Sequence, residues 1–387
     1  MFRKTESAFF METIILLGVL EGLLITMLIL LKKRKTVSDY WLSVFFLLYS
    51  VNTLLSFLEI YNRTHSYPFP AFIFVSSPFL LLHGPAIWMY VKSLTDQHFS
   101  FKPIYLLHLA PFIACIIDFT LRFYIIPSTE RIEIYESESF KQFTDYPIMI
   151  IAMALSSLIY FSWSALMVQK YNKNIKGYFS ETKSYDLSWL RIVMVSSAVV
   201  YTIIYSSFLI DLVFPLASFR WMHQASFVLG SVYLIVLGFF GHRQGNLFTD
   251  KPISVDLQKS TPLSNKNNSI DKIENDFIHS LLKCMNEKKP HLDPEITLSS
   301  LADLTSVSPE YLSKMINNQL GKNFYDFINH YRIEEFKTRC SLPENKNFTL
   351  ISIAFDCGFN SKATFNRVFK NATGETPGDY ARKAQGL

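Results

Sequence analysis

The chain has 387 residues, is half hydrophobic and only 18% charged, and contains 35 Phe and 20 Tyr with a formal net charge of +5. Nearly all of the apolar excess lies before about Gly241, which excludes a chain that is soluble throughout. The four cysteines (Cys115, Cys284, Cys340, Cys357) have no metal-ligand spacing and read as reduced and structural.

Long apolar stretches recur near 10–31, 40–60, 71–92, 104–126, 147–169, 188–213 and 221–241. Each is about 20 residues or longer, enough to cross about 30 Å of hydrocarbon as a helix. One soluble core helix can be this apolar on every side, but not seven in succession. The first stretch differs from a signal peptide, because its basic cluster Lys32-Lys33-Arg34-Lys35 follows the apolar run. With the N-terminus outside, the inner loops hold Lys32, Lys33, Arg34, Lys35, Lys92, Lys102, Lys170, Lys173, Lys176, Lys183 and Arg243. The outer segments hold only Arg3, Lys4, Arg63, Arg131, Lys141 and Arg220, and the longest, Pro127 to Tyr146, is rich in Glu. This asymmetry orients the bundle with its C-terminal end in the cytoplasm. The expected location is a cellular membrane, crossed in several passes with the N-terminus outside.

Ionisable groups within spans are costly in lipid and are the candidates for sensing. They are Glu21 in the first span, His83 in the third, Asp118 and Arg122 one turn apart in the fourth, and Asp211 late in the sixth. Asp118 and Arg122 are spaced to pair at i, i+4. The competing reading is that such groups only hold helices together. His83-Gly84-Pro85 and Pro111 should bend the third and fourth helices, and bends often border a cavity.

These considerations place a membrane domain over residues 1–241 and a polar, flexible linker over 242–275, including Lys259-Ser-Thr-Pro-Leu-Ser-Asn-Lys-Asn-Asn-Ser. The last domain covers 276–387 and repeats one helix-turn-helix pattern. One copy runs from Leu301 to Gly321 and the other from Ile353 to Gly374. From the turn onward Ser308 aligns with Ser361, Leu312 with Phe365, Ile316 with Phe369 and Gly321 with Gly374. Ala302 and Ala354 face inward on the first helix of each copy, and the second copy spends one extra residue in its turn, around Gly358. Leu312, Met315 and Ile316, and Phe365, Val368 and Phe369, each form one buried stripe. The exposed stripes are Glu310, Ser313, Lys314 and Asn317, and Ala363, Asn366, Arg367 and Lys370, groups able to reach base edges and phosphates in a major groove.

The stretch from about Asp276 to Lys383 resembles the DNA-binding domain of AraC/XylS-type bacterial transcription regulators. The matching pieces are LADLTSVSPEYLSKMIN, NFYDFINHYRIEEFK, ISIAFDCGFNSKATFNRVFK and TGETPGDYARK. The resemblance implies two helix-turn-helix units bridged by one long helix near Phe324 to Cys340. Their recognition helices would enter successive major-groove segments roughly one turn, or ~34 Å, apart. It also implies base readout by Glu310, Ser313 and Lys314 in the first unit, and by Asn360, Lys362, Ala363 and Arg367 in the second, with Thr364 beside them. Ala363 departs from the polar side chain often found there. The membrane half bears a weaker resemblance to seven-span regulators coupled to such domains.

One expectation fails within the sequence itself. From Asp276 to Leu387 there are 14 Lys plus Arg against 13 Asp plus Glu, whereas a DNA binder more often carries an obvious basic excess. No phosphate-binding loop, dinucleotide glycine fingerprint or metalloprotease helix is present, so the chain is not expected to be an enzyme and no cofactor or metal is implied.

The sequence thus predicts an all-α protein, a seven-helix transmembrane bundle followed by a cytoplasmic domain with two helix-turn-helix units. The expected function is a membrane-bound one-component transcription regulator that responds to an extracellular or membrane signal. Its expected partners are double-stranded promoter DNA, the lipid bilayer and an unknown small-molecule or membrane signal. RNA polymerase and a second copy of the chain are further candidates. Two rivals stay open: a transporter-like membrane half with an attached regulator, and an anchor from which proteolysis in the linker releases the regulator.

Overall fold

A computed structural model describes residues 2–96, 98–182, 185–214, 217–243, 268–345 and 347–384, and among these every regular element is helical. The chain divides into two compact units, and a single cut in the sequence does not separate them. The first comprises Met1–Gln169 with Ser188–Ser254, and the second comprises Lys170–Leu187 with Val255–Leu387. Most of the predicted linker, 244–267, lies outside the described residues, and the helix at its far end already begins at Asn268.

The first unit contains α1 (Phe2–Leu30), α2 (Val37–Thr64), α3 (Ser76–Thr95), α4 (Ala110–Phe119), the short α5 (Ser128–Glu136), α6 (Asp145–Asn174), α7 (Ser188–Asp211) and α8 (Phe219–Arg243). The end of α6 runs on into the second unit. Thr36 caps α2 through a capping box with Asp39, which fixes where the chain re-enters a helix after the basic turn. Among the described residues, five segments are long and apolar enough to cross a membrane: Phe9–Leu30, Val37–Thr64, Pro103–Tyr124, Asp145–Gly177 and Ser188–Asp211.

The sequence had suggested seven such segments. The third and seventh positions are indeed helices, α3 and α8, but neither is among the five. For α3 the physical reason is burial: every residue from Leu81 to Val91 is buried, so His83 and the Gly84-Pro85 pair face protein and need not be lipophilic. The seventh expected span, 221–241, ends on side chains outside the described residues. Pro111 does not bend a helix either: it sits in the first turn of α4, where its missing N–H leaves no bond unmade. What precedes it is a 3-10 stretch, Pro103–Leu109, and α4 continues into a π turn, Thr120–Tyr124.

The second unit contains α9 (Asn268–Glu287), α10 (Leu298–Leu304), α11 (Pro309–Leu320), α12 (Phe324–Ser341), α13 (Leu350–Asp356), α14 (Lys362–Thr373) and α15 (Pro377–Ala384). It has two small cores threaded by one helix. Phe324, Phe327 and Ile328 of α12 pack with Leu281, Leu301, Leu312 and Ile316, while Ile333, Phe336 and Cys340 pack with Ile353, Phe365 and Phe369. The long connecting helix expected near Phe324 to Cys340 is therefore α12, and it is the shared wall of both halves.

Candidate nucleic-acid interface

The two helix-turn-helix units repeat down to their caps. Ser308 accepts from the Tyr311 N–H at the start of α11, and Ser361 accepts from the Thr364 N–H at the start of α14. Both second helices end at a glycine in the left-handed region, Gly321 at φ +63 and Gly374 at φ +81. Both turns also close alike: the Val307 N–H bonds to the Ala302 carbonyl, and the Phe359 N–H to the Ala354 carbonyl, each at 3.1 Å.

That register places Ser306 (φ +54) opposite Gly358 (φ +90), so the extra residue of the second turn is Asn360, after the glycine. Gly358 is required for a second reason. A Cβ there would lie 2.3 Å from the His291 carbonyl oxygen and 3.0 Å from Arg332 Nε.

Arg332 is 1% exposed and organises this junction. Its Nε donates to the His291 carbonyl (2.8 Å), and its terminal nitrogens donate to the Asp293 carbonyl (2.8 Å) and the Ser180 hydroxyl (3.2 Å). Burial lowers its pKa to about 10, so the guanidinium stays charged near neutral pH. Ser180 belongs to the segment between α6 and α7, which sequence reading treated as a plain inner loop. Within the second unit this segment adds a bridge between Phe179 and Thr297, a bond from the Leu298 N–H to the Tyr178 carbonyl (2.9 Å), and one from the Ser180 hydroxyl to the Ile296 carbonyl (2.8 Å). Tyr178 packs against the first of the two cores. The only sequence signal was an aromatic pair, Tyr178-Phe179, in an otherwise polar stretch.

Of the side chains expected to read DNA, Asn317, Asn360, Lys362, Ala363, Asn366, Arg367 and Lys370 are exposed, and Glu310, Ser313 and Lys314 are partly covered. Thr364 must be corrected: it is 5% exposed, turned to the core side at the third position of α14. The equivalent cations Lys314 and Arg367 are both held by neighbours. Lys314 Nζ lies 3.2 Å from a Glu274 carboxylate oxygen of α9, whose other oxygen accepts from Gln319 (2.9 Å). Arg367 donates to the Tyr325 hydroxyl at 3.1 Å. Lys362 and Lys370 extend the exposed basic stripe of α14, which is how a unit of nearly balanced charge still presents a cationic face.

In the first unit, the expected Asp118–Arg122 pair forms at 2.8 Å, and Asp145 joins it at 3.2 Å from Arg122. His83 is buried and bonds through Nδ1 to the Tyr201 hydroxyl (2.8 Å). Asp211 pairs instead with Lys141 at 2.8 Å, and Glu21 stands apart from both groups, half-buried on α1. Sequence reading missed Asn52 and His223, buried polar groups that share a cavity lining with His83 and Asp145.

Residues 301–383 match the family described as helix-turn-helix domain. Over 90 residues the chain is 36% identical to an uncharacterized HTH-type transcriptional regulator of Staphylococcus aureus (strain COL), a match covering 23% of this chain and 12% of that protein. Over 90 residues it is 33% identical to another such regulator of Bacillus subtilis (strain 168), covering 23% of this chain and 36% of that protein. The chain thus spans about an eighth of the staphylococcal relative and about a third of the Bacillus one. No solved structure matches. What the similarity covers, the two units around α12, is a DNA-binding helix-turn-helix domain of the kind carried by HTH-type transcriptional regulators.

Proposed function

We propose that the chain is a membrane-bound, one-component transcription regulator of AraC type. Its apolar helices receive an extracellular or membrane-borne signal, and its second unit binds promoter DNA through α11 and α14. In this reading α3 and α8 complete a seven-span bundle, which leaves the N-terminus outside and the DNA-binding unit in the cytoplasm. Two helix-turn-helix units sharing one long helix, in a chain with five apolar helices of spanning length, are the observation that carries the proposal.

Segment 170–187 supports a coupling route. It is part of the DNA-binding unit and is also the covalent connection between α6 and α7. A signal that favours one arrangement of these two helices would displace Ser180, and with it the buried Arg332 junction at which the two halves meet. The response can be no larger than the signal's differential affinity for the two arrangements. The same segment argues against simple release by cleavage between residues 244 and 267. A fragment cut there would leave Ser180 behind and expose Arg332.

The decisive experiment uses the full-length protein in lipid nanodiscs and fragments of the genomic DNA around its own gene. Saturable, sequence-selective retention of one fragment supports the reading. Equal retention of every fragment, abolished by moderate salt, would reduce the second unit to a non-specific polyanion binder.

A further inference from the structure

The first unit holds a partly open cavity of about 120 Å³, and about half of its lining residues are Phe or Tyr. Five of its lining side chains each leave one buried polar atom without a partner: Asn52 Oδ1, His83 Nε2, Asp145 Oδ1, Tyr205 Oη and His223 Nδ1. Three of them, Asn52, His83 and His223, have their orientation fixed from elsewhere. Asn52 donates through Nδ2 to the Ser76 carbonyl (2.6 Å), which leaves its acceptor oxygen unused. His83 is held by Tyr201, and the His223 ring stacks on Phe219 at 5.3 Å. A buried polar atom without a partner costs folding free energy, so a cluster of them in one aromatic chamber forms a site whose hydrogen bonds are completed by something else, with Asn52 Oδ1 as a fixed acceptor.

The lining also limits what that can be. It contains no Lys or Arg, so nothing there would compensate a buried anion. Its one carboxylate, Asp145, already has its charge offset by Arg122 through Oδ2, so a cationic ligand reaching the free Oδ1 would compete with an existing counter-ion. A dry apolar cavity of about 150 Å³ takes up a benzene-sized molecule. The rings around this smaller space favour edge and offset contacts with a planar guest.

We infer that this cavity binds an uncharged, single-ring aromatic compound bearing an O–H or N–H donor, a phenol being the simplest, which hydrogen-bonds to Asn52. This deepens the sensor reading given above, and it names the chemistry of the signal.

The test is equilibrium dialysis of radiolabelled para-cresol against full-length protein in nanodiscs, with empty nanodiscs as the lipid background. Toluene lacks the donor and benzoate carries a charge. The expected result is saturable para-cresol binding at least tenfold tighter than toluene, with no benzoate binding. Asn52→Leu should erase the advantage of para-cresol over toluene. Val200→Phe, which fills the chamber and leaves the polar groups in place, should abolish binding of both and guards against misfolding of the first variant. Absence of saturable binding, or equal binding by parent and both variants, would overturn the site. Binding without any change in promoter retention would keep the site and remove the sensor reading. A change in retention with another stimulus and no para-cresol binding would do the reverse.

Discussion

Arg332 and Ser180 are 152 residues apart in sequence, yet the guanidinium of one donates to the hydroxyl of the other within a single packed unit. The same arginine holds the carbonyls of His291 and Asp293, so one side chain ties the inter-helix segment, the turn before α10 and the middle of α12. Its removal leaves the His291 carbonyl without a donor and takes one bond each from the Asp293 carbonyl, which keeps the Ile296 N–H, and the Ser180 hydroxyl, which keeps the Ile296 carbonyl.

Arg332→Leu should therefore destabilise more than a lost surface charge would. The His291 carbonyl left unpaired costs about 1–3 kcal/mol, and the lost bonds to Asp293 and Ser180 add to it. Ser180→Ala removes one hydroxyl and should cost only about 1 kcal/mol by the same reckoning. Hydrogen exchange on the full-length protein, read on peptides from 176–182 and 290–336, should show both regions losing protection together in Arg332→Leu. Loss confined to 290–336 would mean that the segment is not part of the cooperative unit.

The glycines of the two repeats separate conformational strain from collision. Gly321 has φ +63 with open space around it, so Gly321→Ala should cost only about 1 kcal/mol for the left-handed backbone. Gly358→Ala meets the same penalty and also forces its Cβ against the His291 carbonyl, so it should unfold the second helix-turn-helix unit. Exchange protection of α13 and α14 peptides reports the contrast. Similar small effects at both positions would refute the close-approach argument.

The repeat was legible because caps, turns and buried stripes are local: Ser308, Gly321, Ser361 and Gly374 announce their roles within four residues. The long apolar helices were legible where nearly every position is apolar, as in α1 and α6. They were less so where buried polar groups interrupt the run, as in α3, where Ser76 and His83 bond to Glu59 and Tyr201, neighbours distant in sequence. Long-range partnerships left no periodic mark at all. Nothing near Ser180 points to Arg332, and nothing near Lys314 points to Glu274. Thr364 was misplaced because helical spacing alone cannot tell which residue of a first turn rolls toward the core.

The second unit should lose stability in mild acid through His291. Burial, reinforced by Arg332 and Lys289 and opposed by Glu335, lowers its imidazole to about 4, against 6.5 when exposed. The folded state therefore prefers the neutral ring, while the unfolded chain takes up a proton. Stability from this group is complete above about pH 6.5 and is lost as pH falls toward 4. His330, also lowered by burial, acts in the same direction. Glu335 is raised by burial but held below its usual range by hydrogen bonds from Lys289 and Arg339, so its contribution fades in a lower window. Exchange protection of 290–336, corrected for intrinsic rates, should fall between pH 7 and pH 5, and His291→Phe should remove most of that dependence. An unchanged slope in the variant would assign the effect elsewhere.

The equivalent cations of the two recognition helices should behave differently on DNA. Arg367 is exposed and, among the described residues, is tied to the neutral Tyr325 hydroxyl, so it can turn to a base edge with little loss. Arg367→Ala should cost about 1–3 kcal/mol at the cognate site and relax preference at about one base pair. Lys314 must first leave Glu274, so Lys314→Ala should cost less. Glu274→Gln should tighten binding on every duplex and steepen the salt dependence by about one unit, because a freed lysine neutralises one more phosphate. Titrations of full-length protein in nanodiscs on cognate and scrambled duplexes at two salt concentrations distinguish these effects. If Glu274→Gln leaves both affinity and salt slope unchanged, the Glu274–Lys314 pair does not restrain DNA contact. If Arg367→Ala also binds every duplex like the parent, the stripe on α14 is a solvated face and base readout falls on other residues.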